Sequence, residues 1–321
     1  MKVLITGGAG FIGSNLIHAF ISDERITAIK VLDNFETGSF ANIAEYKNHP
    51  RFEFIEGDIR NYATCLAVTE GVDLISHQAA LGSVPRSIAD PITTNEINIS
   101  GTLNIFNAGR ENNVKRIVYA ASSSTYGDHP GLPKVEDKIG SPISPYGVTK
   151  LVNELYAKVF AALYNMEFIG LRYFNVYGPH QNPRGAYAAV IPLFIKSFIE
   201  GHQPPINGKG ENTRDFTFVK DVVDANLLAM FTENPQAINQ VYNIARGEQV
   251  SLSDLIIYLE EISGKHIKPI YHPERKGDIK HSHADITKAK DLLDYHPSVN
   301  IKDGLKKAYD WYLQNNLIFA E

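Results

Sequence analysis

The feature that most constrains the fold is a glycine-rich turn at the start of the chain. The apolar run KVLIT leads directly into GGAGFIGSN, in which Gly7, Gly10 and Gly13 follow one another every third residue. Residues without a Cβ allow a tight turn between a strand and a helix, and they let a pyrophosphate approach the backbone. The N–H groups at the start of the following helix favour a negatively charged ligand. We interpret this segment as the phosphate-binding turn of a dinucleotide site.

Short runs typical of β-strands alternate with segments of helical spacing through the first half of the chain. The strand candidates are KVLIT, ITAIKVLD, FEFIEGD, DLISHQAA, KRIVYAAS and EFIGLRYF. This alternation indicates βαβ units and a parallel sheet. The predicted fold class is α/β, a doubly wound parallel-sheet Rossmann domain with a smaller mixed α/β C-terminal lobe. We expect 1–172, with approximately 213–244, to form the dinucleotide domain, and 173–212 with 245–321 to form the substrate lobe.

Composition excludes several other classes of protein. The net charge is −5 and no block of Lys and Arg occurs, so nucleic-acid binding has no electrostatic support. Cys65 is the single cysteine, and His281 and His283 have no cysteine or carboxylate cluster near them, so we expect neither disulfides nor a metal. No apolar run approaches the roughly 20 residues of a membrane helix. We therefore expect a cytoplasmic protein with no membrane partner.

The residues that follow the turn favour NAD over NADP. Asp33 ends the second predicted strand, twenty residues after Gly13, where a carboxylate would hold the hydroxyls of the adenosine ribose. A carboxylate there would repel a 2′-phosphate, and no arginine occupies the next two positions. Further contacts are predicted after the third and fourth strands, from Asp58 to the adenine and from Gln78, Ala79 and Ala80 to the ribose beside the nicotinamide.

A tyrosine and a lysine form the second candidate site. Tyr146 and Lys150 are four residues apart, in a pattern that is helical from Val148 onward, so they can share one helix face. A free tyrosine has a pKa near 10, and needs about 4 kcal/mol of help to act as a base near neutrality. Such a pair is common in helices without any role. Ser122, Ser123 and Ser124 lie at the carboxyl end of the fifth predicted strand. Open α/β sheets bind ligands outside the carboxyl ends of their strands.

Five segments, in chain order, resemble the extended short-chain dehydrogenase/reductase superfamily and specifically its nucleotide-sugar 4-epimerases. They are ITGGAGFIGSN, SSSTYG, SPYGVTK, LRYFNVYGP and RDFTFVKDVVDA, and the resemblance covers nearly the whole chain. The segments ALGSVPRSIADPITTNEINISGT and GAYAAVIP are similar to bacterial epimerases acting on UDP-N-acetylglucosamine and its uronate. The resemblance implies tightly bound NAD and inversion at C4 of the sugar through a 4-keto intermediate. It also implies a homodimer built on two helices, near GTLNIFNAGREN and around Tyr146.

The resemblance implies a role for each residue of the second site. Tyr146 would take the proton of the 4′-hydroxyl, assisted by Ser122, while Lys150 would lower the tyrosine pKa and bind the nicotinamide ribose. Ser123 and Ser124 stand where related dehydratases carry acids, which argues against 4,6-dehydration and against the related decarboxylases. The implied cofactor contacts also include Phe11, Ile12, Asn34, Ile59, Asn98 and Tyr173.

The resemblance also implies where a nucleotide sugar would bind. Asn175, Arg214 and Arg275 match residues that meet the diphosphate, and Asp278 matches one that meets the uridine ribose. For the two arginines, surface ion pairing is the alternative. The sugar side would be lined by Gly82, Ser83 and Arg86, and the uracil by segment 188–192 including Ala189 and Val190.

Two positions bear on the sugar that is accepted. Ser282 stands where epimerases restricted to unacetylated hexoses carry a tyrosine, so it would leave room for an N-acetyl group. Arg184 departs from the family pattern, and could pair with a uronate carboxylate or face solvent. The leading expectation is a UDP-N-acetylglucosamine 4-epimerase. The alternatives are a UDP-glucose or UDP-glucuronate 4-epimerase and, in another class, a non-catalytic NAD-binding regulator, which would typically lack the Tyr/Lys pair.

Overall fold

The fold is built on one parallel sheet of seven strands. The computed structural model describes residues 1–183, 188–273 and 280–315. Its strands are β1 (Lys2–Thr6), β2 (Ala28–Asp33), β3 (Phe52–Glu56), β4 (Leu74–His77), β5 (Arg116–Ser122), β6 (Glu167–Tyr173), β7 (Val176–Tyr177), β8 (Pro205–Asn207), β9 (Thr213–Arg214), β10 (Thr217–Phe218), β11 (Gln240–Ile244), β12 (Val250–Ser251) and β13 (Ile270–His272). The order in the main sheet is β11-β6-β5-β4-β1-β2-β3. The strand order reverses beside β1, which is where ligands bind in such sheets.

Helices cover both faces of this sheet. The described α-helices of the sheet domain and the lobe together are α1 (Phe11–Phe20), α2 (Tyr62–Thr69), α3 (Val84–Ala89), α4 (Pro91–Asn95), α5 (Thr102–Glu111), α6 (Pro145–Tyr164), α7 (Val190–Glu200), α8 (Val219–Phe231), α9 (Leu252–Ser263), α10 (Thr287–Leu293) and α11 (Ile301–Gln314). One core contains Val3 and Ile5 with side chains of α1, α8 and α10, and a second contains Leu4 with α2, α5 and α6. Successive side chains of β1 point to opposite faces, and helices cover both faces, so Val3, Leu4 and Ile5 are all buried. The doubly wound fold and its six N-terminal strands are confirmed.

The C-terminal part supplies both the last strand of the main sheet and a third core. β11 pairs in parallel with β6, and the third core joins α7, α9 and α11 to short strands of the lobe. Those strands form three two-stranded sheets, β10 with β7, β12 with β9 and β13 with β8. No described helix is long and apolar enough to cross a membrane. The division of the chain into a dinucleotide domain and a substrate lobe, with boundaries at 172, 213 and 244, stays a prediction.

The helix that carries Tyr146 starts earlier than the sequence pattern indicated. It begins at Pro145 rather than near Val148, because the Ser144 side chain caps it by accepting the Gly147 N–H at 3.1 Å. Proline is well tolerated at the first helical position, where its missing N–H would have no partner. Tyr146 therefore lies in the first turn of α6, and Lys150 follows one turn later on the same face.

Candidate active site

The glycine turn forms a cradle in which added methyl groups have no room. A Cβ on Gly7, which has a φ of +69°, would lie 2.7 Å from the backbone nitrogen of Ala79. A Cβ on Gly13 would lie 2.2 Å from the Gly7 carbonyl oxygen. The Ala79 N–H is itself held by the Thr6 hydroxyl at 3.2 Å. The close approach of β1, α1 and the end of β4 therefore depends on glycine at these positions.

Asp33 fastens the end of β2 to the same turn. Its carboxylate accepts hydrogen bonds from the N–H of Ala9 at 2.9 Å and from the N–H of Phe35 at 2.7 Å. Burial raises the pKa of Asp33, and the backbone N–H groups oppose that rise. The carboxylate nevertheless lines the groove described next. An acidic group thus lies where a ribose with free hydroxyls would be recognised.

A groove with a cavity volume of about 270 Å³ runs along this edge of the sheet. It brings together the predicted cofactor residues Gly7, Gly10, Phe11, Ile12, Gly13, Asp33, Asn34, Asp58, Ile59, Gln78, Ala79 and Ala80, and also Gly82. Sequence reasoning missed six others in its wall, Leu32, Glu36, Thr37, Gly57, Leu81 and Ile97. Asn34 donates to Asp58 at 3.0 Å, while Arg60 pairs with Asp58 and lowers its pKa. A backbone cradle for phosphate with an acidic residue beside it fits NAD.

Asn98 lies behind this groove rather than in it. The residue is fully buried. Its side-chain amide accepts from the N–H of Leu81 at 2.8 Å, donates to the Leu81 carbonyl at 3.0 Å and donates to Thr149 at 3.2 Å. These bonds hold the loop after β4 against α6. We therefore revise the expected direct cofactor contact to support of the residues that form the groove.

Gln78 and Tyr173 link the groove to the second candidate site. The Tyr173 hydroxyl donates to the Gln78 amide oxygen at 3.1 Å and accepts from Asn226 at 2.8 Å. The Gln78 amide nitrogen donates to Asn226 in turn, at 3.1 Å. Asn226, on α8, is fully buried. Sequence reasoning missed Asn226 because its partners Tyr173 and Gln78 lie far from it in the chain, although it directly follows the segment RDFTFVKDVVDA.

Tyr146, Lys150 and Ser122 meet at the carboxyl end of β5. The Ser122 hydroxyl is near enough to the Tyr146 phenol to lower its pKa, and it also accepts the Ser124 N–H at 3.1 Å. The Lys150 ammonium donates to the Ala120 carbonyl at 2.8 Å and lies 5.8 Å from the centre of the Tyr146 ring. Ser123 and Ser124 begin a short 3₁₀ turn and are half-buried. The three residues implied by the resemblance therefore share one pocket edge.

The protein groups around Tyr146 do not by themselves lower its pKa, contrary to the expectation from the resemblance. Burial raises the pKa of Tyr146, and the hydrogen bond from Ser122 offsets only part of this rise. Burial also lowers the pKa of Lys150 to about 8, against the opposing effect of Glu154. A phenolate at this position needs more positive charge than Lys150 provides, because desolvation penalises the charged form of both groups.

A buried ion pair between Glu154 and Arg172 holds α6 one turn after Lys150. Glu154, one turn after Lys150, receives two hydrogen bonds from Arg172 on β6, at 2.7 and 2.9 Å. Arg172 also donates to the Glu136 carbonyl at 2.9 Å and lies over the ring of Tyr126. Bidentate arginine–carboxylate pairs fix geometry as well as charge. The contact joins α6 to β6 and to the loop after β5, and sequence reasoning missed it.

On the lobe side, Asp215 joins the segments that carry the predicted nucleotide-sugar residues. Its fully buried carboxylate accepts from the N–H groups of Arg246, Gly247 and Ala284 at 3.0–3.1 Å. Its carbonyl accepts from Asn175 at 3.0 Å. Burial raises the pKa of Asp215 to about 6. Asp215 directly follows Arg214 in the chain, and sequence reasoning missed its role in joining these segments.

The remaining substrate-side residues fall on three segments. The Ser282 N–H donates to the Thr213 carbonyl at 3.1 Å, which places Ser282 beside Arg214. Ser83 caps α3 by accepting the N–H of Arg86. Ala189 and Val190 form the start of α7. Three predicted residues lie outside the described residues, namely Arg184, Arg275 and Asp278. Within the described ranges, no group of three or more His, Cys, Asp or Glu side chains could hold a metal ion.

The fold and the groove define a Rossmann-type dinucleotide-binding protein of the short-chain dehydrogenase/reductase kind. A family model described as the NAD dependent epimerase/dehydratase family matches residues 3–245. The chain belongs to this family. The predictions of NAD as cofactor and of an NAD-dependent enzyme are thereby confirmed.

Several known proteins are similar along their whole length. A putative UDP-glucose 4-epimerase of Methanocaldococcus jannaschii is 36% identical over 316 residues, covering 98% of this chain and 99% of that protein. The structure of a UDP-N-acetylglucosamine 4-epimerase from Methanobrevibacter ruminantium M1, in complex with UDP-N-acetylmuramic acid, has a TM-score of 0.92, 36% identity and coverage of 98% of both chains. A Bacillus cereus UDP-glucuronic acid 4-epimerase with UDP-glucuronic acid and NAD has a TM-score of 0.91 and 35% identity, covering 98% of this chain and 99% of that one.

Proposed function

We propose that this protein is a UDP-sugar 4-epimerase that inverts C4 of its substrate reversibly. The observation that carries the proposal is the meeting of Tyr146, Lys150 and Ser122 at the carboxyl end of β5, next to a groove that fits NAD. Relatives named as 4-epimerases of UDP-glucose, UDP-N-acetylglucosamine and UDP-glucuronic acid support it. A hydroxyl pair at this edge is suited to removing and returning a proton on a sugar hydroxyl.

In this proposal Tyr146 accepts the proton of the 4′-hydroxyl and returns it after the sugar has presented its other face. When bound, NAD would supply the hydride acceptor and donor, and the positive charge of its oxidised ring would favour the phenolate form of Tyr146. Ser122 orients the 4′-oxygen and shares its proton with Tyr146. Lys150, held by the Ala120 carbonyl, adds a positive charge to the same pocket edge. Without these positive charges the phenol would stay protonated, because burial raises the pKa of Tyr146.

The neighbouring serines favour epimerisation over loss of water. Elimination from a keto sugar needs an acid and a base close to the adjacent carbons. Ser123 and Ser124 provide neither, since a serine hydroxyl is a poor acid and a poor base. The keto intermediate is therefore reduced again rather than dehydrated.

As the finer proposal, the preferred substrate is UDP-N-acetylglucosamine. The small side chain of Ser282 is half-buried, on a segment bonded to the strand of Arg214. In this proposal the serine leaves room for an acetamido group, which a tyrosine at the same position would fill. The Methanobrevibacter relative, described as a UDP-N-acetylglucosamine 4-epimerase, supports this preference. A UDP-glucuronate preference remains the alternative and would rest on Arg184.

The Ser282→Tyr variant tests this specificity. We expect kcat/KM for UDP-N-acetylglucosamine to fall by about 10- to 200-fold, because added bulk in a substrate pocket costs about 1–3 kcal/mol. The value for UDP-glucose, which has no acetamido group, should change less than about threefold. Initial rates with the two substrates, measured on one protein preparation, give both numbers. An equal loss on both substrates would contradict the role of Ser282 in selecting the sugar.

We also propose a homodimer in which α6 lies at the interface. Leu155, Val159 and Leu163 lie on the outer face of α6 with side chains 56%, 49% and 68% exposed. Their spacing of four residues makes one apolar stripe. A second copy of the chain would bury this stripe against its own. A cytoplasmic location stays a prediction.

The Leu155→Lys variant tests the dimer. Sedimentation equilibrium of the wild type should give twice the 35.7 kDa of one chain, and the variant should give a single chain. A buried, unpaired ammonium in an apolar interface is strongly unfavourable. Leu313→Lys is the matched control, because Leu313 is a 41% exposed leucine on α11. A wild type that sediments as one chain would contradict the proposal, and so would a variant that remains dimeric.

The function itself is tested by proton NMR of separate mixtures with UDP-N-acetylglucosamine, UDP-glucose and UDP-glucuronate. We expect a C4-inverted product from each accepted sugar without added NAD, and fastest from UDP-N-acetylglucosamine. Faster conversion of the glucuronate would favour the alternative. No conversion of any sugar, even with NAD supplied, would contradict the epimerase proposal and favour a non-catalytic NAD-binding protein.

A further inference from the structure

The backbone of Tyr146 needs a hydrogen-bond partner that its own helix cannot provide. Tyr146 is the second residue of α6, and the N–H groups of a first helical turn have no intrahelical acceptor. Pro145 has no N–H, and the N-cap oxygen of Ser144 is taken by the Gly147 N–H. One donor therefore remains, and it belongs to the residue proposed as the base.

Ser87 supplies the missing acceptor from another helix. Its hydroxyl oxygen lies 3.1 Å from the Tyr146 nitrogen and accepts that N–H. The same hydroxyl donates to the Val84 carbonyl at 2.7 Å, so its proton is turned away from Tyr146 and a lone pair faces the N–H. Ser87 is fully buried. A buried hydroxyl with both bonds formed has a fixed orientation, because losing either bond would leave a polar group unsatisfied.

The helix that carries Ser87 also carries the residues expected on the sugar side. α3 follows Gly82 and is capped by Ser83, whose φ of +98° is unusual for a residue with a side chain. Arg86 immediately precedes Ser87 in the chain. α3 and α4 both pack against α6. One hydrogen bond therefore connects the helix beside the sugar to the first turn of the helix that carries Tyr146.

We propose that Ser87 is a positioning residue that fixes the Tyr146 backbone relative to the sugar-side helix α3. The proposal rests on the proposed function for its effect on turnover, and on the contact geometry alone for its effect on the backbone. Ser87 does not need to touch the substrate. It sets how far Tyr146 reaches from α6 toward the pocket, so that the phenol oxygen meets the 4′-oxygen at hydrogen-bond distance. Reactions that depend on such distances lose rate steeply when a group is displaced by about 1 Å.

The Ser87→Ala variant tests the proposal by two independent readouts. We expect kcat for C4 inversion to fall by about 10- to 100-fold, while KM and the NAD content stay within about twofold. In protein labelled with ¹⁵N-tyrosine, the amide of Tyr146 should exchange with solvent about five- to tenfold faster, because its hydrogen bond is lost. Ser87→Cys, with a weaker acceptor of similar shape, should give intermediate values in both measurements.

Thr94→Val provides the matched control. Thr94 is a buried residue of the neighbouring α4, and its hydroxyl donates within its own segment, to the Asp90 carbonyl. This variant loses a comparable buried hydroxyl but should leave kcat and Tyr146 exchange unchanged. Unchanged Tyr146 exchange in Ser87→Ala, or equal effects of both variants on kcat, would overturn the positioning role. If wild type inverts no sugar but exchange still responds to Ser87→Ala, the epimerase proposal fails and the backbone contact stands.

Discussion

Removal of one oxygen atom, in Tyr146→Phe, is expected to lower kcat for C4 inversion by about 10²- to 10⁴-fold. That range is the usual contribution of a positioned general acid–base group. The phenylalanine ring keeps the packing of the first turn of α6, so the protein should fold and retain NAD. The variant lacks the hydroxyl that faces Ser122 and that accepts and returns the sugar proton in our proposal. Single-turnover assays by NMR with UDP-N-acetylglucosamine would measure the loss.

Tyr164→Phe is the control for this substitution. Tyr164 ends the same helix, is 42% exposed and lies under the guanidinium of Arg110. A phenylalanine ring preserves that cation–π contact, so activity should stay within about twofold. If Tyr146→Phe kept more than a tenth of wild-type kcat, another group would have to accept the proton, and the assignment of Tyr146 would be wrong.

The second large effect is expected at the glycine cradle, in Gly13→Ala. Gly13 lies within α1, where alanine has a better helix propensity, so its backbone does not require glycine. The requirement is steric, because a Cβ would lie 2.2 Å from the Gly7 carbonyl oxygen and 2.6 Å from the Gly8 Cα. Overpacking of this kind costs about 1–3 kcal/mol. Since the displaced atoms form the phosphate cradle, we expect NAD to bind about five- to 150-fold more weakly.

Gly71→Ala separates this effect from a general loss of stability. Gly71 has a φ of +66°, and a Cβ there would have no atom within 4 Å. Alanine at such a position costs about 1 kcal/mol of backbone strain and should not change the NAD content. The bound NAD of each purified variant can be released by denaturation and measured by absorbance. Full NAD content in Gly13→Ala would contradict the placement of the dinucleotide in this cradle.

The main sheet could be predicted because its strands are buried on both faces. Runs such as KVLIT and KRIVYAAS are apolar nearly throughout, which is typical of parallel strands between helices. The turn glycines and Asp33 could be predicted as well, since the glycines follow the first strand and Asp33 ends the second, at the spacing that the phosphate and the ribose require. The sequence pattern indicates a start of α6 three residues too late, because a proline at the first helical position does not continue an apolar pattern.

The supporting contacts could not be predicted, because they join residues far apart in the chain. Ser87 with Tyr146, Arg172 with Glu154, and Asn226 with Tyr173 each depend on how two elements pack. None has a local periodicity or a motif of its own. The two- and three-residue strands of the lobe could not be predicted either, because they are too short to show an alternation of apolar and polar residues. The effect of burial on the Tyr146 pKa also depended on the folded environment.

The most direct test of the central claim is the fate of the hydrogen on C4. The wild-type protein is incubated, without added NAD, with UDP-N-acetylglucosamine carrying deuterium at C4, and the product is followed by NMR. We predict inversion at C4 with the deuterium retained on the same carbon, because the hydrogen is removed and returned within one closed site while Tyr146 handles only the hydroxyl proton. Inversion with loss of the deuterium to solvent would contradict this account, and so would the absence of inversion with every UDP-sugar tried.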